Sequence, residues 1–181
     1  MTPATDPAAD LDALVALAES ARAWLDRGPA AAHDGDRLGL VNAEVSQWSP
    51  RQQIDHAALA TLSICGALDR ILAGAPECVP PGRPGPNLEM ILTTGFIPRG
   101  RAEAPEKMKP APDVTHAATL AHLDALLARL RELAPRAAAC AAAGLRYPHF
   151  ALGPMTAPEW LRFARIHFDH HVALARDAAD V

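Results

Sequence analysis

The sequence predicts an all-α fold in which four helices form a bundle. Half of the 181 residues are hydrophobic, enough for a full core, and only 4% are aromatic. Alanine is abundant, apolar residues recur at helical spacing, and no segment shows the sustained alternation of a half-buried strand. We therefore expect one domain over residues 1–181, with helices packed closely on small side chains.

The first helix is predicted to begin at Asp6-Pro7, an N-cap residue followed by proline at the first helical position. Its apolar stripe ends near Gly28, a residue type that favours a helix end. The stripe consists of Leu11, Leu14, Val15, Ala18, Ala21 and Leu25. Residues 29–48 lack periodicity and are predicted to form a surface connection.

The second helix is predicted from a capping box, Ser49 with Gln52, to about Gly74. His56 lies about two turns into this helix, just ahead of the small residues Ala60 and Ser63. A lone histidine at such a position is more often a satisfied core or surface residue than a metal ligand.

The segment 75–112 carries nine prolines and four glycines, which excludes a long helix. It predicts an irregular crossover with a short helix around Leu88 to Thr94. Long loops in compact domains often cover functional sites, and here 96–99 and 107–109 are candidate walls of a pocket. The alternative is a crossover that packs along the outside of the bundle.

Recurring leucines predict the third helix from Thr115 to Leu133, and the alanine tract 137–143 continues or caps it. Residues 147–154 are predicted to form a short turn. A second capping box, Thr156 with Glu159, then begins the fourth helix, which is predicted to end near Ala178.

His167 and His171 lie four residues apart on the stripe of the fourth helix that should face the core. An unpaired buried imidazole costs on the order of 1–3 kcal/mol, so both rings need partners. They are either core histidines bonded to carbonyls or carboxylates, or two ligands of one first-row metal ion. His170 competes for such an ion because positions i and i+3 also share a face, although it lies about 100° from His171.

A metal site needs a third ligand from another helix, and His56 on the second helix is the candidate. Bundle cores are common places for metal sites built from facing helices. If the second and fourth helices are neighbours, one ion can bridge His56 with the pair on the fourth helix. Three imidazoles leave at least one position open on a tetrahedral ion, which is typical of a catalytic site.

Charge and composition exclude several classes of partner. A net charge of -4, a pI near 6.0 and scattered basic residues give no footprint for nucleic acid or an anionic membrane. No apolar run approaches a membrane span and no signal peptide is recognisable, so we expect a cytoplasmic protein. Cys65, Cys78 and Cys140 are odd in number and far apart, which predicts inert thiols and no disulfide framework.

Three segments resemble the DinB-like four-helix superfamily: Trp48 to His56, His149 to Trp160, and His167 to His171. Within it the chain is most similar to a bacterial subfamily of unknown function, whose last helix follows a His-Pro-x-Phe-Gly-x-Leu-Thr turn. The crossover stretch from Gly95 to Gly100 is also similar. The resemblance spans nearly the whole chain, and its specific part is the histidine-bearing segments.

The resemblance implies a DinB-like bundle in which His56, His167 and His171 hold a divalent metal such as zinc or nickel. Better-studied branches of the superfamily transfer or isomerise substrates with a low-molecular-weight thiol such as bacillithiol or mycothiol. Phe150 and Leu152 depart from the usual turn residues, which leaves any role of His149 open.

The leading hypothesis is therefore a metal-dependent enzyme of thiol-dependent transferase or hydrolase type that acts on a small molecule. Gln52, Asp55 and Asp169 are candidates to orient the ligands, and Asp169 ranks below Gln52 because it lies about 160° from His171 on the helix. The alternatives are a non-catalytic stress or binding protein, and a bundle that serves mainly as a homodimerisation unit through the alanine-rich tract 137–143.

Overall fold

The computed structural model describes residues 6–27, 37–80, 82–99 and 103–180, and it confirms the all-α prediction. Short 3-10 turns cover 37–39, 106–108 and 134–136. The regular elements are α1 (Pro7–Arg27), α2 (Pro50–Leu72), α3 (Pro86–Thr94), α4 (His116–Leu133), α5 (Ala137–Ala142), β1 (Arg146–His149), β2 (Gly153–Thr156) and α6 (Ala157–Ala179).

The two long helices that carry the candidate histidines begin at the predicted capping boxes. In α2 the backbone N–H of Gln52 donates to Ser49 Oγ, and the backbone N–H of Ser49 donates to Gln52 Oε1. In α6 Thr156 and Glu159 make the same reciprocal pair of bonds. Each box satisfies two backbone donors that a helix start would otherwise leave unpaired.

The four long helices form a bundle in which α2 and α6 are neighbours with the most extensive mutual packing. Helix α1 packs on α6 and α4 but hardly touches α2, so α1 and α2 lie diagonally opposite. Fully buried alanines allow the close approach of the helices, because a methyl group keeps the interaxial distance short. They include Ala18, Ala21, Ala57, Ala58, Ala164 and Ala175.

The crossover between α2 and α4 is irregular, as predicted, and its short helix α3 begins two residues earlier than expected, at Pro86. Gly95 ends α3 with φ of 68°, a left-handed conformation that favours glycine. The alanine tract forms the separate helix α5, because Pro135 lacks the N–H that would continue α4. Residues 28–36, 81 and 100–102 of the predicted connections lie outside the described residues.

The segment expected to be a short turn is a β-hairpin, in which Arg146 pairs with Thr156 and His149 with Gly153. The buried guanidinium of Arg146 donates to the carbonyl of Pro154 at 2.8 Å and to Glu159 Oε1 at 2.9 Å. The hairpin is thereby tied to the first turn of α6. The strands are too short to show an alternating pattern, which is why periodicity missed them.

Within the described residues, no helix has both the length and the apolar character that a membrane crossing requires. Ala138, Ala139 and Ala142 of the alanine-rich tract are exposed. Dimerisation through this tract, cytoplasmic location and the extent of the domain stay predictions.

Candidate metal centre

Three imidazoles from α2 and α6 converge inside the bundle. One ring nitrogen each from His56, His167 and His171 lies within 4.8 Å of the other two. Nε2 of His167 is 3.2 Å from Nε2 of His171, and the ring of His56 lies 5.2 Å and 4.5 Å from those two rings, centroid to centroid. The spacing of four residues stacks the pair on one face of α6, and the contact between α2 and α6 brings in His56.

Hydrogen bonds to the Nδ1 atoms hold two of these rings in one tautomer. The Nδ1–H of His56 donates to the backbone carbonyl of Met108 at 2.8 Å. The Nδ1–H of His171 donates to Gln53 Oε1 at 2.6 Å, and the amide nitrogen of Gln53 donates to Ser46 Oγ. In a neutral imidazole whose Nδ1 carries the proton, Nε2 keeps its lone pair. Both rings are therefore set to offer Nε2 as a ligand.

His167 is the least satisfied member of the cluster. Its Nδ1 is buried without a hydrogen-bond partner among the described residues. A buried polar atom left unpaired costs about 1–3 kcal/mol, so an apolar residue here would be better for the stability of the bundle alone. The orphaned nitrogen argues that this position is kept for something other than packing.

Burial holds the cluster in its neutral form at pH 7. Removal from water, followed by the neighbouring imidazoles His56, His170 and His149, lowers the pKa of His167 to about 3. Burial, followed by the adjacent histidines, also depresses the pKa of His171 well below its usual value, and burial lowers that of His56. Neutral imidazole is the form that binds a metal ion.

The donor set fits a divalent first-row ion. Zinc binds histidine nitrogen at roughly 2.0–2.1 Å, which places two ligands of one tetrahedral ion about 3.3 Å apart. The separation of 3.2 Å between Nε2 of His167 and Nε2 of His171 matches this value. Three neutral nitrogen donors also suit nickel, because imidazole is a ligand that both metals accept.

Aromatic rings and the crossover surround the cluster. Trp48 packs 4.9 Å from His56 and 6.4 Å from His171, centroid to centroid. Phe163 lies 5.5 Å from His167, centroid to centroid. The carbonyl of Met108 comes from the crossover segment 107–109, so that part of the crossover forms a wall of the site as expected. The other expected wall, 96–99, carries an exposed Phe96.

The residues predicted to orient the ligands bond to other groups or are exposed. The amide of Gln52 donates to the crossover carbonyls of Ala111 and Pro112, while its oxygen caps α2. Asp55 accepts from His122 of α4, and Asp169 is exposed. The orienting groups are instead Gln53 and the carbonyl of Met108. The side chain of Gln52 is used by the capping box that the sequence predicted. Gln53 lies three residues before His56 and on the same face of α2.

His170 does not join the three clustered nitrogens, although its ring lies 5.1 Å from that of His171. Burial is the main cause of its lowered pKa, and the positive charge of Arg99 adds to it. The three cysteines are free thiols, and burial raises the pKa of Cys65 to about 12. A thiol with so high a pKa is protonated and inert at neutral pH.

In a comparison with protein families, the model of the DinB superfamily matches residues 31–175, well over half of the chain. Searches of curated proteins and of solved structures return no match.

Proposed function

This chain belongs to the DinB superfamily, and on that premise we propose that it is a metal-dependent enzyme of thiol-dependent transferase or hydrolase type. Superfamily membership and the cluster of three histidines fit a metal-binding helical protein. In this proposal His56, His167 and His171 hold zinc or nickel, and a small molecule is the substrate.

The observation that carries the proposal is the pairing of the ring nitrogens. His56 and His171 each give their Nδ1–H to a carbonyl oxygen, from Met108 and Gln53 respectively, and keep Nε2 for the centre of the cluster. This is the arrangement of metal-ligating histidines, whose second nitrogen is bonded to an outer carbonyl or carboxylate. Histidines that only stabilise a core need one hydrogen-bond partner each, and their second ring nitrogens need not converge on one point.

A divalent ion bound here supplies a Lewis acid that lowers the pKa of a water or thiol at its open position. The surrounding protein groups fix the ligand rings and so determine where this open position lies. Gln53 is itself fixed by Ser46, so the orientation of His171 depends on a buried chain of bonds. Trp48 packs against the rings of His56 and His171 and gives them an apolar neighbour.

The charge of the ligand set favours an anionic partner. All three ligands are neutral, and no carboxylate hydrogen-bonds to them within the described parts of the chain. The full charge of a divalent ion would therefore be left for the group at the open position, which favours a thiolate or another anion over a neutral ligand.

The metal is tested on protein purified without an affinity tag. Elemental analysis should find about one zinc or nickel per chain, and single changes of His56, His167 or His171 to alanine should each remove it. His116→Ala is the matched control, because it removes a half-buried histidine outside the cluster. Full metal in all three cluster variants would refute the ligand assignment.

Turnover is tested by incubating the metal-loaded protein with thiol cofactors together with ester or epoxide substrates. Product formation that disappears on metal removal, and in His167→Ala, supports an enzyme. The second candidate is a metal-binding protein without catalysis, favoured by the absence of a carboxylate base bonded to the cluster among the described residues. Metal-dependent turnover excludes it.

A further inference from the structure

His149, at the end of β1, is a further histidine near the candidate metal centre. Its ring is half-buried and lies 5.3 Å from Trp160 and 5.3 Å from Phe163, centroid to centroid, while Phe150 stacks on it at 4.5 Å. The hairpin holds it there through the bonds of Arg146 to the carbonyl of Pro154 in β2 and to Glu159 in the first turn of α6.

Two backbone amides determine which nitrogen of His149 carries its proton. The backbone N–H groups of Ala151 and Leu152 both donate to Nδ1, each at 3.1 Å. A nitrogen that accepts these bonds has no hydrogen of its own, so the neutral ring carries its proton on Nε2. Burial lowers the pKa of His149 to about 4, which agrees with a neutral ring at pH 7.

The Nε2–H of His149 makes no hydrogen bond with any other described residue. The ring is held by its neighbours on one edge, while the donor on the opposite edge is accessible to a ligand, since it is not among the buried polar atoms without a partner. Phe163 touches this ring and also that of His167, one turn further along α6. His149 and His167 thus contact the same phenylalanine, and His149 is near enough to the cluster to lower the pKa of His167.

We infer that His149 recognises the substrate, donating a hydrogen bond from Nε2–H to a carbonyl or carboxylate oxygen while another group of the same molecule occupies the open metal position. This inference rests on the proposed function. It assigns the substrate a chemical class: a small molecule with a metal-binding group and a separate oxygen acceptor. His149 is then a specificity-determining residue, held by the hairpin turn.

Two substitutions separate this role from a structural one. Asparagine places an oxygen near the Nδ1 position, so His149→Asn keeps an acceptor for Ala151 and Leu152 but loses the distant donor. Glutamine reaches the Nε2 position, so His149→Gln keeps a donor there and loses the acceptor of the turn. A purely structural histidine predicts that asparagine is the milder change in every assay.

The assay is thiol binding to the full chain loaded with cobalt(II), followed by the thiolate-to-cobalt absorption. The probes are mercaptoacetate and 3-mercaptopropionate, which carry a carboxylate, and ethanethiol, which does not. Loss of a hydrogen bond to a charged acceptor should weaken binding of at least one carboxylate probe to His149→Asn by about tenfold. Ethanethiol should bind equally to both proteins, and His149→Gln should recover most of the loss.

Unchanged binding of both carboxylate probes to His149→Asn would overturn the inference and leave the metal site intact. An equal loss for ethanethiol would also overturn it, because the substitution would then act on the metal site rather than on the acceptor. If the wild-type chain fails to bind cobalt, the proposed function fails and the role of His149 fails with it. Thermal unfolding of each variant checks that the hairpin is retained.

Discussion

Gln53 offers the sharpest test of the metal centre, because it touches only one ligand and belongs to no cap. Its Oε1 accepts from His171 at 2.6 Å, and both side chains are buried, with 2% and 9% of the residue exposed. Gln53→Leu removes this acceptor and keeps a side chain of similar length. The buried Nδ1–H of His171 then has no partner.

The metal-bound form depends on this bond. A metal at Nε2 of His171 requires the proton on Nδ1 and fixes the ring, so the lost acceptor leaves that N–H buried and unpaired, which costs about 1–3 kcal/mol. Without metal the ring is free to reorient and relieve part of this cost. Metal affinity should therefore fall about 10- to 100-fold, the range found when the outer partner of a ligating histidine is removed.

Competition between the protein and a coloured chelator measures this affinity for zinc. Gln52→Leu is the matched control, because it changes the neighbouring glutamine, which caps α2 and binds crossover carbonyls and makes no hydrogen bond to a ligand histidine within the described residues. The control should lose about 0.5–2 kcal/mol of stability through its cap but keep its zinc affinity. Zinc binding to Gln53→Leu within twofold of the wild type would refute the reasoning.

Three further outcomes are expected. The metal-free chain should lose stability as the pH falls below about 6.5, because unfolding lets His167 and His171, whose folded pKa values are depressed, take up protons. His167 contributes about 1 kcal/mol of this loss between pH 7 and 5.5, and His171 acts in the same direction. A flat stability profile in urea unfolding over this pH range would contradict the expectation. Nickel should quench tryptophan fluorescence mainly through Trp48, which packs on two ligand rings, so Trp48→Phe should remove most of the quenching in a titration. Arg146→Met should destabilise the protein by about 1.5–3 kcal/mol in urea unfolding, because it removes the charge-assisted bonds of a buried guanidinium to Glu159 and to the carbonyl of Pro154. A loss under about 1 kcal/mol would show that these bonds do not anchor the hairpin.

The features that the sequence determined by itself are local ones. The capping boxes at Ser49 and Thr156 set the starts of α2 and α6 through bonds that span only three residues. The placement of His167 and His171 on one face follows from the helical repeat alone. The proline and glycine content of the crossover likewise excluded a long helix there, since those residues act on their own backbone.

Only the tertiary structure decided what surrounds the histidines. The packing of α2 against α6 brings His56 to the pair on α6, and the carbonyl of Met108 reaches His56 from 52 residues away. The hairpin that holds His149, and the choice of Gln53 over Gln52 as the partner of His171, depend on the same packing. No periodicity or cap encodes these contacts, because each joins atoms whose separation is set by how whole helices pack rather than by their spacing in the chain.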